Sequence, residues 1–282
     1  MSTEIERILD ESRRLSIHSV FDSAVNLQAG RRLVTCTTRV VSVPNGIEMT
    51  RSDLAGLQRL RFTRPRDVLE WCSVDRVLAS STGAMVIAST PDTVVFETTL
   101  PASSNDHLHG PARELLAHLA RTRARTGFEG DWLALTSDVA LTSAVGSLAA
   151  GRADAAVIHW LGRGPGLTPS GDDVLAGMIT ALQFVGAVDP SRIGPLRASI
   201  DAAAGRLTTD ISAEYLHYAC RGMAGGMVRD LLVALDRADT LAMQDALERL
   251  SRHGDTSGMD CALGVGLALR QASKRSPPGA GR

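Results

Sequence analysis

The chain has 282 residues, enough for one large domain or two small ones with real cores, and its 44% hydrophobic and 22% charged residues match a globular protein. A formal net charge of -1 gives no basic footprint for nucleic acid, and no apolar run approaches the ~20 residues of a membrane span. The one lysine, Lys274, lies in a Ser/Pro/Gly-rich tail, which argues against Schiff-base chemistry, a pyridoxal enzyme or a Walker-type phosphate loop.

The N-terminal segment MSTEIERILDESRR is charged and helical in pattern, unlike a secretion signal, so a cytoplasmic protein is expected. Residues 32–43, 74–78, 84–88 and 93–100 are β-branched and partly alternating, with turns such as Pro44-Asn45-Gly46 between them. They predict a compact, mostly antiparallel sheet or small barrel. After a polar linker at 101–106 the composition turns to Ala and Leu at helical spacing. Helices are expected at 110–126, 138–160, 171–186, 191–206, 209–222, 225–237, 239–252 and 258–272. The fold class is therefore α+β: a β-rich domain over 1–105, an α-helical domain over 106–272 and a disordered tail over 273–282. Cys36, Cys72, Cys220 and Cys261 are scattered without a CxxC pair and read as free thiols.

Chemistry concentrates in the run Gly162-Arg163-Gly164-Pro165-Gly166-Leu167-Thr168-Pro169-Ser170-Gly171-Asp172-Asp173, which returns in part as Asp255-Thr256-Ser257-Gly258-Met259-Asp260. Both copies carry Ser-Gly-x-Asp with a glycine four residues further on, Gly177 and Gly264, and both open an apolar run. A hydroxyl three residues before a carboxylate marks a helix N-terminus. The helices that follow are apolar nearly all round, which is the mark of a central helix in a bundle. Two such starts facing one another would frame a small polar pocket.

The free amides and positive dipole end of a helix start suit an anion such as phosphate, carboxylate or a carbamoyl group. Gly164 and Gly166 let a ligand approach the backbone, and Thr168, Ser170, Thr256 and Ser257 add uncharged donors. Asp172, Asp173 and Asp260 repel a bare anion unless they cap, bind a metal or hold an amide NH2. Asp173 and Asp260 occupy the capping-box position opposite Ser170 and Ser257; Asp172, which Met259 replaces in the second copy, is the ligand-facing carboxylate on this reading. A magnesium ion held by Asp172 with phosphate oxygens is consistent with the pattern. A third cluster, Thr208-Thr209-Asp210-Ile211-Ser212, opens another helix, with Thr209 expected to cap it. His159, His217 and His253 read as packed or surface residues rather than catalysts, although His253 stands close to the second motif.

The run 164–173, with Thr208-Thr209-x-Ile211-Ser212 and Thr256-Ser257-Gly258-x-Asp260, resembles the AllH family, members of which are a subunit of oxamate carbamoyltransferase in ureide breakdown. Ile17-His18-Ser19-Val20-Phe21 followed by Asn26-Leu27 is similar to that family's N-terminal pattern. The resemblance implies carbamoyl transfer between oxamate and phosphate, through oxalurate and carbamoyl phosphate, together with partner subunits, one of them of the FdrA type. On it, Ser170, Asp172, Ser257 and Asp260 form the catalytic set. Gly164, Gly166, Leu167, Thr168, Gly171, Asp173, Thr209, Ser212, Thr256 and Gly258 bind substrate, and His18 and Ser19 enter only through the family pattern. Two alternatives stand beside it: a non-catalytic binding or scaffold subunit, and a metal-dependent hydrolase built on the three aspartates. A homo-oligomer is compatible with all three readings.

Overall fold

The computed structural model describes residues 1–39, 42–63, 68–80, 85–89, 92–104, 107–128, 131–252 and 254–272. The expected tail at 273–282, His253, and Asn105 and Asp106 of the linker lie outside them. The chain divides into two compact units, Met1–Thr98 and Thr99–Arg282.

The first unit opens with α1 (Thr3–Glu11). Ser2 caps it by accepting the Glu4 amide at 3.1 Å, and Ile5, Ile8 and Leu9 form its buried face. Seven strands follow: β1 (Arg14–Val20), β2 (Ala24–Ala29), β3 (Arg32–Thr37), β4 (Gly46–Glu48), β5 (Val68–Cys72), β6 (Val77–Ser80) and β7 (Met85–Ala88), with α2 (Arg51–Thr63) between β4 and β5. They form one sheet in the order β4-β3-β2-β1-β5-β6-β7, so β4 and β7 are edges and the sheet alternative holds over the barrel. Neighbours are antiparallel except β3 and β4. Along β5, Leu69 and Trp71 are buried while Glu70 and Cys72 are exposed, the period-2 pattern of a half-buried strand.

Three expectations for this unit are corrected. Residues 93–100 form no strand: Phe96 and Thr99 make only isolated bridges, and Val94 and Val95 are exposed, because β-branched composition gives a strand only where an edge is there to pair with. The strand expected from residue 74 begins at Val77, after a turn in which Arg76 takes a left-handed φ of 51°. Helix α2 was not foreseen; Leu54 and Leu57 anchor it.

The second unit is helical: α3 (His109–Thr122), α4 (Trp132–Thr136), α5 (Val139–Ala149), α6 (Ala155–Ile158), α7 (Ser170–Phe184), α8 (Pro190–Leu207), α9 (Asp210–Cys220), α10 (Gly226–Asp236), α11 (Thr240–Ser251) and α12 (Ser257–Gln271). Side-chain caps fix many of the boundaries: Asp131, Asp138, Asp154, Asp189, Thr209 and Asp239 each accept an amide of the first turn they precede. The single helix expected over 138–160 is two, α5 and α6, because Gly151 turns the chain and Asp154 starts a new helix. The helix expected to reach 126 stops at Thr122, where Arg123 adopts the left-handed conformation at φ 48°. Helix α4 was not foreseen.

Helices α7 and α12 are buried along almost their whole length and pack on one another at the centre of the unit. Leu175, Leu182 and Leu263 are inaccessible to solvent, and full burial of such a side chain contributes about 1.5–3 kcal/mol. As the all-round apolar pattern required, these two helices carry the core.

Candidate functional site

The N-termini of α7 and α12 converge. Thr168 Oγ1, just before α7, lies 2.6 Å from Ser257 Oγ, the first residue of α12. The motif glycines make the approach possible. A Cβ at Gly177 would stand 2.1 Å from Cys261 O, and one at Gly264 would stand 2.0 Å from Val174 O. Nearly two turns earlier Gly171 and Gly258 admit other backbone segments: a Cβ at either would fall 2.1 Å from Trp160 O or 2.0 Å from Leu250 O, respectively. The two motif copies are thus equivalent in space as well as in sequence.

The expected capping boxes do not form. The N-cap positions of α7 and α12 are Pro169 and Thr256, neither makes a side-chain cap, and Ser170 and Ser257 are the first residues inside their helices. The carboxylates look across the helix pair instead. The Ser257 and Thr168 hydroxyls face Asp173, and those of Ser170 and Thr256 face Asp260, which Thr126 bonds. Thr126 Oγ1 donates to Asp260 Oδ1 at 2.5 Å and the Gly127 amide to Oδ2 at 3.2 Å. Packing side by side at the glycines puts each aspartate within reach of the other motif's serine, which a local cap pattern cannot reveal.

The sequence reading makes Asp172 the ligand-facing carboxylate and Asp173 a cap; in the structure Asp172 is tied into the protein and Asp173 caps nothing. Asp172 is 2% exposed, and both its oxygens are held by the protein: the Gly162 amide donates to Oδ1 at 2.8 Å and Thr208 Oγ1 donates to Oδ2. It ties the glycine loop to the start of α9. Asp173, 9% exposed, keeps Oδ2 buried without a hydrogen-bond partner, and Ser170, 1% exposed, keeps Oγ in the same condition. Ser170 Oγ faces toward Asp260 without reaching good hydrogen-bonding geometry.

Burial dominates the electrostatics. It pushes the Asp173 carboxyl well above the usual carboxylate range; the Ser257 hydroxyl opposes this, and the charges of Asp260 and Asp172 add to it. Asp172 and Asp260 are raised for the same first reason, with hydrogen bonds offsetting part of the effect. Burial, then the Asp173 charge, pushes the Tyr215 phenol up to about 12, and the Cys261 thiol is also raised, by burial and by Asp173 and Asp260. This environment disfavours the thiolate at Cys261.

The glycine loop runs over the surface at the start of α7. Arg163 to Leu167 are exposed, and Gly164 takes a φ of 113°, open to glycine and strained for other residues. Leu167 contributes its carbonyl, which accepts the Thr209 hydroxyl at 2.5 Å; Thr209 in turn accepts the Ser212 amide at 3.1 Å as the expected cap. Ser212 is buried beside Asp172. His217 is packed against Asp201 at 3.1 Å. His18 and Ser19 belong to the first unit, where His18 falls at a register irregularity of β1 and Ser19 Oγ contacts His18 Nδ1 at 3.1 Å.

The segment 124–128 was missed. No glycine or asparagine stands at 123 to mark the end of α3, so Thr126 falls within the expected helix and Gly127 just beyond it. They lie on the site instead: a Cβ at Gly127 would be 2.0 Å from Ser170 Oγ and 3.1 Å from Thr256 Oγ1. Among the described residues no three His, Cys, Asp or Glu side chains are grouped to hold a metal ion. With both Asp172 oxygens engaged, the donor set does not fit the magnesium expected there.

These features define an α+β protein whose helical unit buries a hydroxyl and carboxyl site between two related helix starts. The family model described as oxamate carbamoyltransferase subunit AllH matches residues 160–269, the stretch that holds both motifs and the start of α9. No solved structure matches the chain. No helix among the described residues is long and apolar enough to cross a membrane.

Proposed function

We infer that this chain is a subunit of an oxamate carbamoyltransferase and that its α7–α12 site takes the amide end of the substrate. One observation carries the reading. Ser170 Oγ, a donor, and Asp173 Oδ2, an acceptor, are both buried and unpartnered on one face of the first turn of α7. A primary amide or carbamoyl group offers the complement, a carbonyl oxygen and an NH2. Leaving either protein group unmatched costs about 1–3 kcal/mol, so a ligand that matches both is strongly favoured there.

Ser170 and Ser257, at the positive ends of two helices, would polarise the carbonyl as charge develops on its oxygen. Asp173 would orient the NH2, with Asp260 behind it. The anionic remainder of the substrate, a carboxylate or phosphate, would lie outward toward the Gly164–Thr168 loop, away from the acidic floor. The site supplies electrostatic stabilisation and positioning for direct transfer, with FdrA-type and other partner subunits completing it. A second reading, a binding subunit without catalytic duty, is favoured by one feature: among the described residues, no Lys, Arg or His contacts the three carboxyls.

The test is carbamoyl transfer from carbamoyl phosphate to oxamate by the complex assembled with its partner subunits. Ser170→Ala should lower kcat by about 100-fold or more, the scale of a lost oxyanion donor. Asp173→Asn should raise KM and lower kcat together. Unchanged kcat with weakened assembly or ligand binding in both variants would support the binding-subunit reading; full activity with unchanged ligand binding would sink both.

A further inference from the structure

The floor of the site is acidic and hydroxylic, so a ligand with one uncharged amide end and one anionic end needs a cation outside that floor. Arg125 adjoins the residues that cover the site. It precedes Thr126 and Gly127, which bond Asp260 and lie against Ser170. Its guanidinium grips the Asp255 carboxylate with both terminal nitrogens, Nη2 to Oδ2 at 3.0 Å and Nη1 to Oδ1. Asp255 opens the second motif, just before Thr256 and Ser257. The pair therefore joins the segment after α3 to the loop before α12, and both side chains are exposed.

A guanidinium fork closed on a carboxylate is the geometry by which arginine recognises carboxylates and phosphates in general. The unpartnered Ser170 and Asp173 atoms have no access to solvent, and Gly127 covers the first of them. Ligand entry thus requires the 124–128 segment to lift. That movement pulls Arg125 from Asp255, and an exposed pair of this kind opens readily. Arg163, beside the glycine loop, lies over the Trp160 ring at 5.6 Å.

Resting on the amide-site reading above, the geometry points to Arg125 as the residue that selects an anionic ligand. Asp255 holds the place of the ligand's carboxylate in the closed site, and Arg125 exchanges one for the other on binding. The ligand is the one assumed above, a primary amide bearing one carboxylate; what is assigned here is the residue that recognises the carboxylate.

Binding of oxamate and of its uncharged isostere oxamide is measured by calorimetry on the full chain, with partner subunits present. Arg125→Ala should weaken oxamate by about tenfold or more, as loss of a charge-assisted pair does, and leave oxamide unchanged. Arg125→Lys should recover only part of the loss, since an ammonium lacks the fork. Asp255→Asn should tighten oxamate, because the internal competitor is weakened. Oxamate binding that ignores Arg125→Ala, or that Asp255→Asn weakens, overturns the proposal while leaving the amide site standing if oxamide still binds. Failure of the unaltered protein to bind either compound sinks the amide-site reading and this inference with it.

Discussion

Gly177 of α7 and Gly264 of α12 face each other's helix backbone where the two helices pack: a Cβ on the first would lie 2.1 Å from Cys261 O, and on the second 2.0 Å from Val174 O. Gly→Ala inside a helix ordinarily stabilises by about 0.5–1 kcal/mol. Here a backbone oxygen stands in the way, so Gly177→Ala or Gly264→Ala should instead destabilise by about 1–3 kcal/mol, the scale of overpacking. Gly205 in α8, with nothing within 4 Å of an added Cβ, should show the ordinary stabilisation. Urea midpoints of the three variants check both signs.

The raised carboxyls give the stability of the fold a definite pH dependence. Asp173 holds its proton more tightly folded than unfolded, so its contribution is fully present below the unfolded value of about 3.9. It is lost as pH rises through the raised folded value. Stability should therefore fall with rising pH above that lower limit, and Asp173→Asn, a mimic of the protonated acid, should flatten the fall. Denaturant midpoints measured from pH 4 to pH 8 decide; parallel profiles for the two proteins would contradict the assignment.

Gly127 and Ser170 are coupled sterically, since a methyl group at 127 would sit 2.0 Å from Ser170 Oγ. Gly127→Ala alone should destabilise the unit and lift the 124–128 segment. Adding Ser170→Ala removes the obstructing hydroxyl and should restore part of the loss, giving a coupling of about 0.5 kcal/mol or more in a double-mutant cycle. Additive effects would mean that the segment does not lie on the serine.

Asp172 is expected to be a structural residue. Asp172→Ala leaves the Gly162 amide and the Thr208 hydroxyl without their acceptor and should lower stability by about 2–4 kcal/mol. Asp172→Asn keeps an acceptor and should lose less. The comparison with Asp173→Asn, which abandons no donor of good geometry, separates the two neighbours by unfolding free energy.

The legible part of this protein was local. Ser-Gly-x-Asp followed by an apolar run announced helix starts at 170 and 257, and the even spread of Leu, Val and Ala after them announced buried helices, because periodicity and burial are properties of a single segment. The Thr209 cap was readable for the same reason. Helix 138–160 and the strand at 93–100 were misread where a turn at Gly151 and the lack of a pairing edge overrode composition.

The amino-acid order by itself determined the two related motifs, the α+β division and a site without lysine. Only the tertiary structure decided which carboxyl keeps a buried oxygen without a partner. Asp172 and Asp173 are adjacent in the chain, yet a helix turns about 100° per residue, so one meets the Gly162 loop and Thr208 while the other meets α12. Their partners lie on segments far away in sequence, brought in by the glycine contact of α7 with α12, and no local pattern encodes which donor a buried acid will find.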